Sequence, residues 1–327
     1  MNNSNISNDI IKVSGSIGMV KLVKDKKNIF MFYDDHSNID YCKDNKSIFL
    51  YDVFDSMIKP NSNCIILLEE PFVKNYSNIK FLWNNTPHII KFRNFYKKII
   101  KQCEDTKVCN VFPIDIRLII CDVSIDELIS HIDSDEYFSN YDISVFEYFK
   151  HLLYLFDYIE WDDKLFKNSD SNLKFVKKVF NKCAQDKYYI NLKLQFTKFY
   201  NLFIKPNMNV KIKAFVKKYN SDKWQFFTGY PFENNNENIF TDQYDKLVNG
   251  IMELYTYILA SSMINENVII YCGYYHSNNL TYILKKYYNY KIEYEIGNTQ
   301  DIEKKEEENI NVNNCLLIEK KYFGKIF

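Results

Sequence analysis

Short runs of β-branched and aromatic residues recur along the chain, and they constrain its fold more than any other feature. They lie at 18–22, 29–33, 64–68, 108–116, 210–216, 268–272, 290–296 and 315–319. Those at 29–33, 64–68, 108–116 and 268–272 are apolar on both alternating faces, as a strand covered above and below requires. Between them the period shifts to that of helices. Thr86 and Pro87 form a cap followed by proline at the first helical position, and Ile89, Phe92, Tyr96, Ile99 and Cys103 then recur at helical spacing. Further helices are expected at 124–132, 143–158, 173–184 and 192–203, and a largely buried one from Thr241 to Met263. Strands alternating with helices predict an α/β fold with a mostly parallel central sheet flanked by helices on both faces. The expected organisation is a single α/β domain over 1–327 with a helical insertion around 124–205, and with 1–9 and 298–313 flexible.

Composition narrows the function. Lys plus Arg and Asp plus Glu both number 42, so no basic field exists to attract a phosphate backbone, and nucleic acid is not an expected partner. The N-terminus, MNNSNISNDI, has neither the basic start nor the apolar run of a secretory signal. The longest helical apolar stretch, 251–264, is interrupted by Glu253 and falls short of the roughly 20 residues that a membrane span needs. A soluble, intracellular protein without membrane contact is expected. Cys42, Cys64, Cys103, Cys109, Cys121, Cys183, Cys272 and Cys315 form no CxxC pair, and several fall in apolar runs. They read as free thiols in a reducing compartment, with no disulfide.

No dinucleotide, Walker, HExxH or GxSxG signature occurs. Ionisable residues instead follow four of the apolar runs, at the edge where open α/β sheets bind ligands. These are Asp34, Asp35 and His36; Glu69 and Glu70 before Pro71; Asp115 and Arg117; and His276, after Gly273 and before a helix expected from Ser277 or Asn278. Taken singly, they also read as a polar turn, a turn-capping carboxylate, a structural ion pair and a solvated loop histidine. Taken together, they offer acid–base groups, metal ligands and a cation for developing negative charge. His88, His131 and His151 fall in helical patterns and read as structural.

At these residues the chain resembles the superfamily of erythromycin esterases, ChaN-like haem-binding lipoproteins and TraB, PrgY and TIKI proteins. Gly273, Tyr274, Tyr275 and His276 match its late GxxH element. Tyr33, Asp34 and His36 stand in a degenerate early element, with Tyr33 where glycine would be. Glu69, with Glu70 as the adjacent alternative, fits the strand-ending glutamate; Asp115 resembles the aspartate of the esterase branch and Arg117 the arginine of the TraB branch. The resemblance covers about 28–120 and 265–290, and the composition suits a giant-virus or protist member. It implies a hydrolase of ester or peptide bonds. Glu69 and His36 would activate water, His276 would assist proton transfer, and Arg117 would stabilise charge; Asp34, Asp35, Glu70, Asp115 and Tyr275 would line the substrate. A divalent manganese, cobalt or zinc ion on His36, His276 and Glu69 is the implied cofactor option, and a small molecule or peptide the implied substrate. The alternative is an inactive viral or host-interaction protein that keeps the fold and a ligand pocket, in the host cytoplasm or the virion. The sequence leaves the oligomeric state open.

Overall fold

The computed structural model describes residues 10–35, 42, 47–57, 64–71, 87–106, 110–120, 151–163, 166, 171–205, 236–263, 266–299 and 315–322. These form two compact units, the first of 1–114 and 259–327 and the second of 115–258. The first is built on strands β1 (Ile10–Ser14), β2 (Gly18–Lys24), β3 (Lys27–Asp34), β4 (Ile48–Phe49) and β5 (Cys64–Pro71). Helices α1 (Leu50–Met57) and α2 (Pro87–Thr106) fall among them, and β6 (Val111–Asp115) follows.

A six-stranded sheet takes β3, β5 and β6 together with β7 (Asn267–Gly273), β2 and β8 (Lys291–Gly297), in the order β6-β5-β7-β3-β2-β8. The expected sheet is present and is mixed. β7 runs parallel to both β5 and β3, whereas β2 is antiparallel to β3 and β8. The antiparallel edge follows from chain length, because Asp25 and Lys26 between β2 and β3 leave room only for a hairpin. Asp25 there takes the left-handed backbone that such a turn requires (φ 51°). β2 begins at Gly18 because the chain crosses it closely: a Cβ there would stand 2.4 Å from the Asn298 carbonyl oxygen.

The expected strands at 18–22, 29–33, 64–68, 108–116, 268–272, 290–296 and 315–319 all have counterparts, while 210–216 lies outside the described residues. Two strands were not anticipated. β1 and β4 join β9 (Cys315–Glu319) in a separate sheet of order β4-β1-β9. Val13, Leu316 and Ile318 from this small sheet pack with Phe30, Phe32, Ile269 and Tyr271 of the large one, and with Phe54 of α1 and Phe92 of α2. The Phe92 and Tyr271 rings stack with centroids 4.1 Å apart. Emptying a buried ring position of this kind costs about 3–5 kcal/mol.

The thiol expectation is corrected at one place. Cys42 and Cys315 form a disulfide across 273 positions of chain. Spacing gives no sign of it, since β9 brings Cys315 to Ser14 only by antiparallel pairing with β1. Cys64 and Cys272 are buried free thiols and Cys183 a half-buried one, as expected.

The second unit contains α3 (Arg117–Ile120), α4 (Ser171–Asn181), α5 (Lys187–Phe199), a π-helical turn at Tyr200–Ile204 and most of α6 (Asn236–Ser262). Asp186 caps α5, accepting from the Tyr188 and Tyr189 N–H groups. Phe156, Phe180, Tyr189 and Phe196 form aromatic contacts in its interior. The expected helix at 124–132 lies outside the described residues, and that at 143–158 is described from 151.

Candidate functional site

Three parallel strands bring the candidate residues to one sheet edge. Asp34 ends β3 opposite Gly273 at the end of β7, and Tyr33 pairs with Cys272. On the other side of β7, Leu68 pairs with Tyr271, so Glu69 comes level with Cys272. β7 then passes directly into α7 (Tyr274–Tyr288), capped by Gly273 in an extended conformation. This helix starts three or four residues earlier than the expected Ser277 or Asn278. His276 consequently lies in its first turn, buried, rather than in a solvated loop.

Glu69 links the two strand ends. Its Oε2 accepts the Gly273 N–H at 2.6 Å, and its Oε1 stands 3.6 Å from Nε2 of His276. The side chains of His276 and Glu69 are 7% and 8% exposed, so the pair interacts in a largely desolvated setting. The unsatisfied N–H groups of the α7 N-terminus favour an anion at that position. Ser277 seats the same turn. Its hydroxyl reaches the Cys272 carbonyl oxygen at 2.9 Å, the Phe32 carbonyl oxygen at 3.2 Å and the Cys272 thiol at 3.2 Å. Tyr275 is exposed and sets its ring edge-on to the His276 imidazole, 5.6 Å between centroids.

Alternation along the strands sends neighbouring residues to opposite sides of the sheet. Glu70 therefore diverges from Glu69 and faces Arg93 of α2, with Nε and Oε2 3.7 Å apart and both side chains buried. Asp34, 2% exposed, lies beside the Tyr271 phenol. Burial, followed by the charge and hydrogen bond of Asp34 and the charge of Glu69, holds that phenol's pKa well above its ordinary value. The Gly15 carbonyl oxygen, 3.2 Å from the Tyr271 hydroxyl, shares its single proton with Asp34. Asp35 follows, half-buried.

Asp115 and Arg117 belong to the second unit and pair with each other. The guanidinium donates to Asp115 Oδ1 at 2.9 Å and Oδ2 at 3.0 Å, and to Asn249 at 3.3 Å. His36 lies outside the described residues. Sequence reasoning gave no role to the Gly273 N–H, Tyr271 or the Ser277 hydroxyl. Of these, Ser277 carried a readable sign, a serine in the opening turn of a helix directly after a strand.

No family model, curated protein or solved structure matches the chain. Its chemistry is therefore read from its own residues. Among the described residues no group of three or more His, Cys, Asp or Glu side chains is arranged to hold a metal ion. Glu69 and His276 supply two donors, against the three protein ligands usual in a catalytic zinc site; a third would come from outside the described residues. Among the described residues no helix is long and apolar enough to cross a membrane.

Proposed function

We propose that the chain is a hydrolase of ester or peptide bonds in which Glu69 and His276 work as an orienting carboxylate and a general base. The observation that carries this reading is the Glu69 carboxylate, fixed by the Gly273 N–H on one oxygen and facing the His276 imidazole with the other. With Nε2 turned to Glu69, Nδ1 is the nitrogen that takes a proton from water. The hydroxide equivalent adds to the substrate carbonyl carbon, and the imidazolium then returns the proton to the leaving alkoxide or amine. Catalytic pairs often stand slightly beyond hydrogen-bond length until substrate is held. The Arg117 guanidinium already spans Asp115 and Asn249, so the reading gives it no task on substrate.

The reading includes kinship with the erythromycin esterase and TIKI superfamily, supported by the Gly273-to-His276 element meeting a strand-ending glutamate. It also takes the sheet as covered by helices on both faces. In support, the consecutive residues Phe32 and Tyr33 pack against α1 and α7 respectively. A ligand-binding protein without turnover is the second reading, and one observation favours it. Tyr33, where the resembled family has glycine, is fully buried with its hydroxyl 2.9 Å from that of Thr281, and its ring packs against Tyr274 in the first turn of α7.

A panel of ester and peptide substrates, with and without manganese, cobalt or zinc, separates the two. Turnover by the wild type, reduced about 10²–10⁴-fold by His276→Ala, supports the hydrolase. Silence from well-folded protein across the panel overturns it in favour of binding.

A further inference from the structure

We propose that the Cys42–Cys315 disulfide is a redox-sensitive clasp on the end of the small sheet, and that a dithiol reductant loosens β9 and the Ser14-to-Ile17 segment that braces β3 where Asp34 ends it. The functional consequence rests on the hydrolase reading; the clasp itself does not.

The clasp joins a point just downstream of β3 to the start of β9. Cys42 is held there by more than sulfur. Its N–H donates to the Ser14 hydroxyl at 3.2 Å, and that hydroxyl bonds the Ser47 hydroxyl at 3.1 Å. Ser14 ends β1, in register with Cys315. Cys42, Ser14, Ser47 and Cys315 thus form one knot at the end of the small sheet.

From this knot the connection to the strand ends is short. Gly15 follows Ser14, turning through a left-handed backbone (φ 94°), and its carbonyl oxygen accepts from the Tyr271 hydroxyl beside Asp34. Ser16 and Ile17 come next and clasp the Tyr33 carbonyl oxygen, through the Ser16 hydroxyl at 2.8 Å and the Ile17 N–H at 2.9 Å. Ser14 to Ile17 thus runs from the disulfide knot to the end of β3. Opening the disulfide releases Cys42 from Cys315 and leaves β1 and β9 joined by backbone pairing and by the core packing of Val13, Leu316 and Ile318. The interior strands β5 and β7 are held by sheet hydrogen bonds and core packing, which the disulfide does not touch.

Reduction is a two-step exchange. A thiolate of the dithiol attacks one sulfur of the bridge and expels the other as the free cysteine thiolate. The second thiol of the reagent then displaces the remaining protein thiolate and closes the reagent into its own disulfide. Two electrons pass to the protein, and the reagent is oxidised by the same number.

The test uses the full chain in oxidised form and after dithiothreitol, with linkage checked by a nonreducing digest and opening checked by thiol alkylation. Amide hydrogen exchange is then compared over β1 to Ile17, β9 and β7. The clasp predicts a linked Cys42–Cys315 peptide in the oxidised protein and exchange over Ser14 to Ile17 and β9 about tenfold or more faster on reduction, with β7 unchanged. Cys315→Ser should exchange like the reduced wild type under both conditions. Equal exchange in fully opened and fully closed protein overturns the proposal, as does absence of the linked peptide. Because exchange needs no substrate, a chain that hydrolyses nothing but responds to reduction keeps the clasp and loses the hydrolase reading.

Discussion

At the scale of single residues, the account turns on two adjacent glutamates with different tasks. Glu69 is tied to the Gly273 N–H and His276, Glu70 to Arg93. The sequence offered them as alternatives, because two carboxylates ending one strand differ in nothing but parity until the neighbouring strands are known. The structure separates them through that parity, and their substitutions should separate too. Glu70→Ala leaves the buried Arg93 without its carboxylate, a loss on the order of 3 kcal/mol in stability by denaturant titration. Residual turnover should stay within a few-fold of wild type. Glu69→Gln should do the reverse, with the folding midpoint nearly kept and turnover lost. Equal stability losses for both would show that parity does not divide their roles.

At the scale of elements, the strand-to-helix passage at Gly273 does most to build the site. The sequence showed its parts: an apolar run, a glycine and a histidine. It misplaced the start of α7, because Tyr274 and Tyr275 resemble loop aromatics and Gly273, though well tolerated at an N-cap, has no side chain to bond the first turn; Ser277 instead fastens that turn to two strand ends. Ser277→Ala removes a buried hydroxyl and leaves the Cys272 and Phe32 carbonyl groups short of one donor. The expected cost is about 1–2 kcal/mol in unfolding free energy. Turnover should fall more than stability alone explains, because the His276 backbone is no longer pinned. An unchanged denaturation midpoint would mean that the turn is held by other bonds. The interior strands were legible because burial on both faces leaves an unbroken apolar run. β1, β4 and the disulfide were not, since each acquires meaning only when the far ends of the chain meet at β9.

At the scale of the whole molecule, buried neutral acids set its tolerance of alkali. Burial pushes the Cys64 thiol and the Tyr255 phenol up to about 12, and raises the phenols of Tyr33 and Tyr271 as well. Burial, reinforced by Asp157, takes the Tyr189 phenol to about 12. In the unfolded chain these groups lose their protons near their ordinary values of 9.0 and 10.0. Above those values the unfolded state binds fewer protons than the folded one, so stability falls as pH rises. The contribution is fully present below pH 9 and drains away between about pH 9 and 12. Denaturant midpoints taken across that window should decline steadily, and a flat profile would contradict the burial of these groups.

The central claim is that Glu69 and His276, 207 positions apart in sequence, act as one unit at the parallel strand ends. A double-mutant cycle on the hydrolysis of the best ester or peptide substrate tests it most directly, comparing kcat/KM for wild type, Glu69→Gln, His276→Ala and the double variant. Groups that act together are strongly non-additive, so the double variant should be little slower than the slower single one. Losses that simply multiply would contradict the claim and assign the two residues to separate tasks.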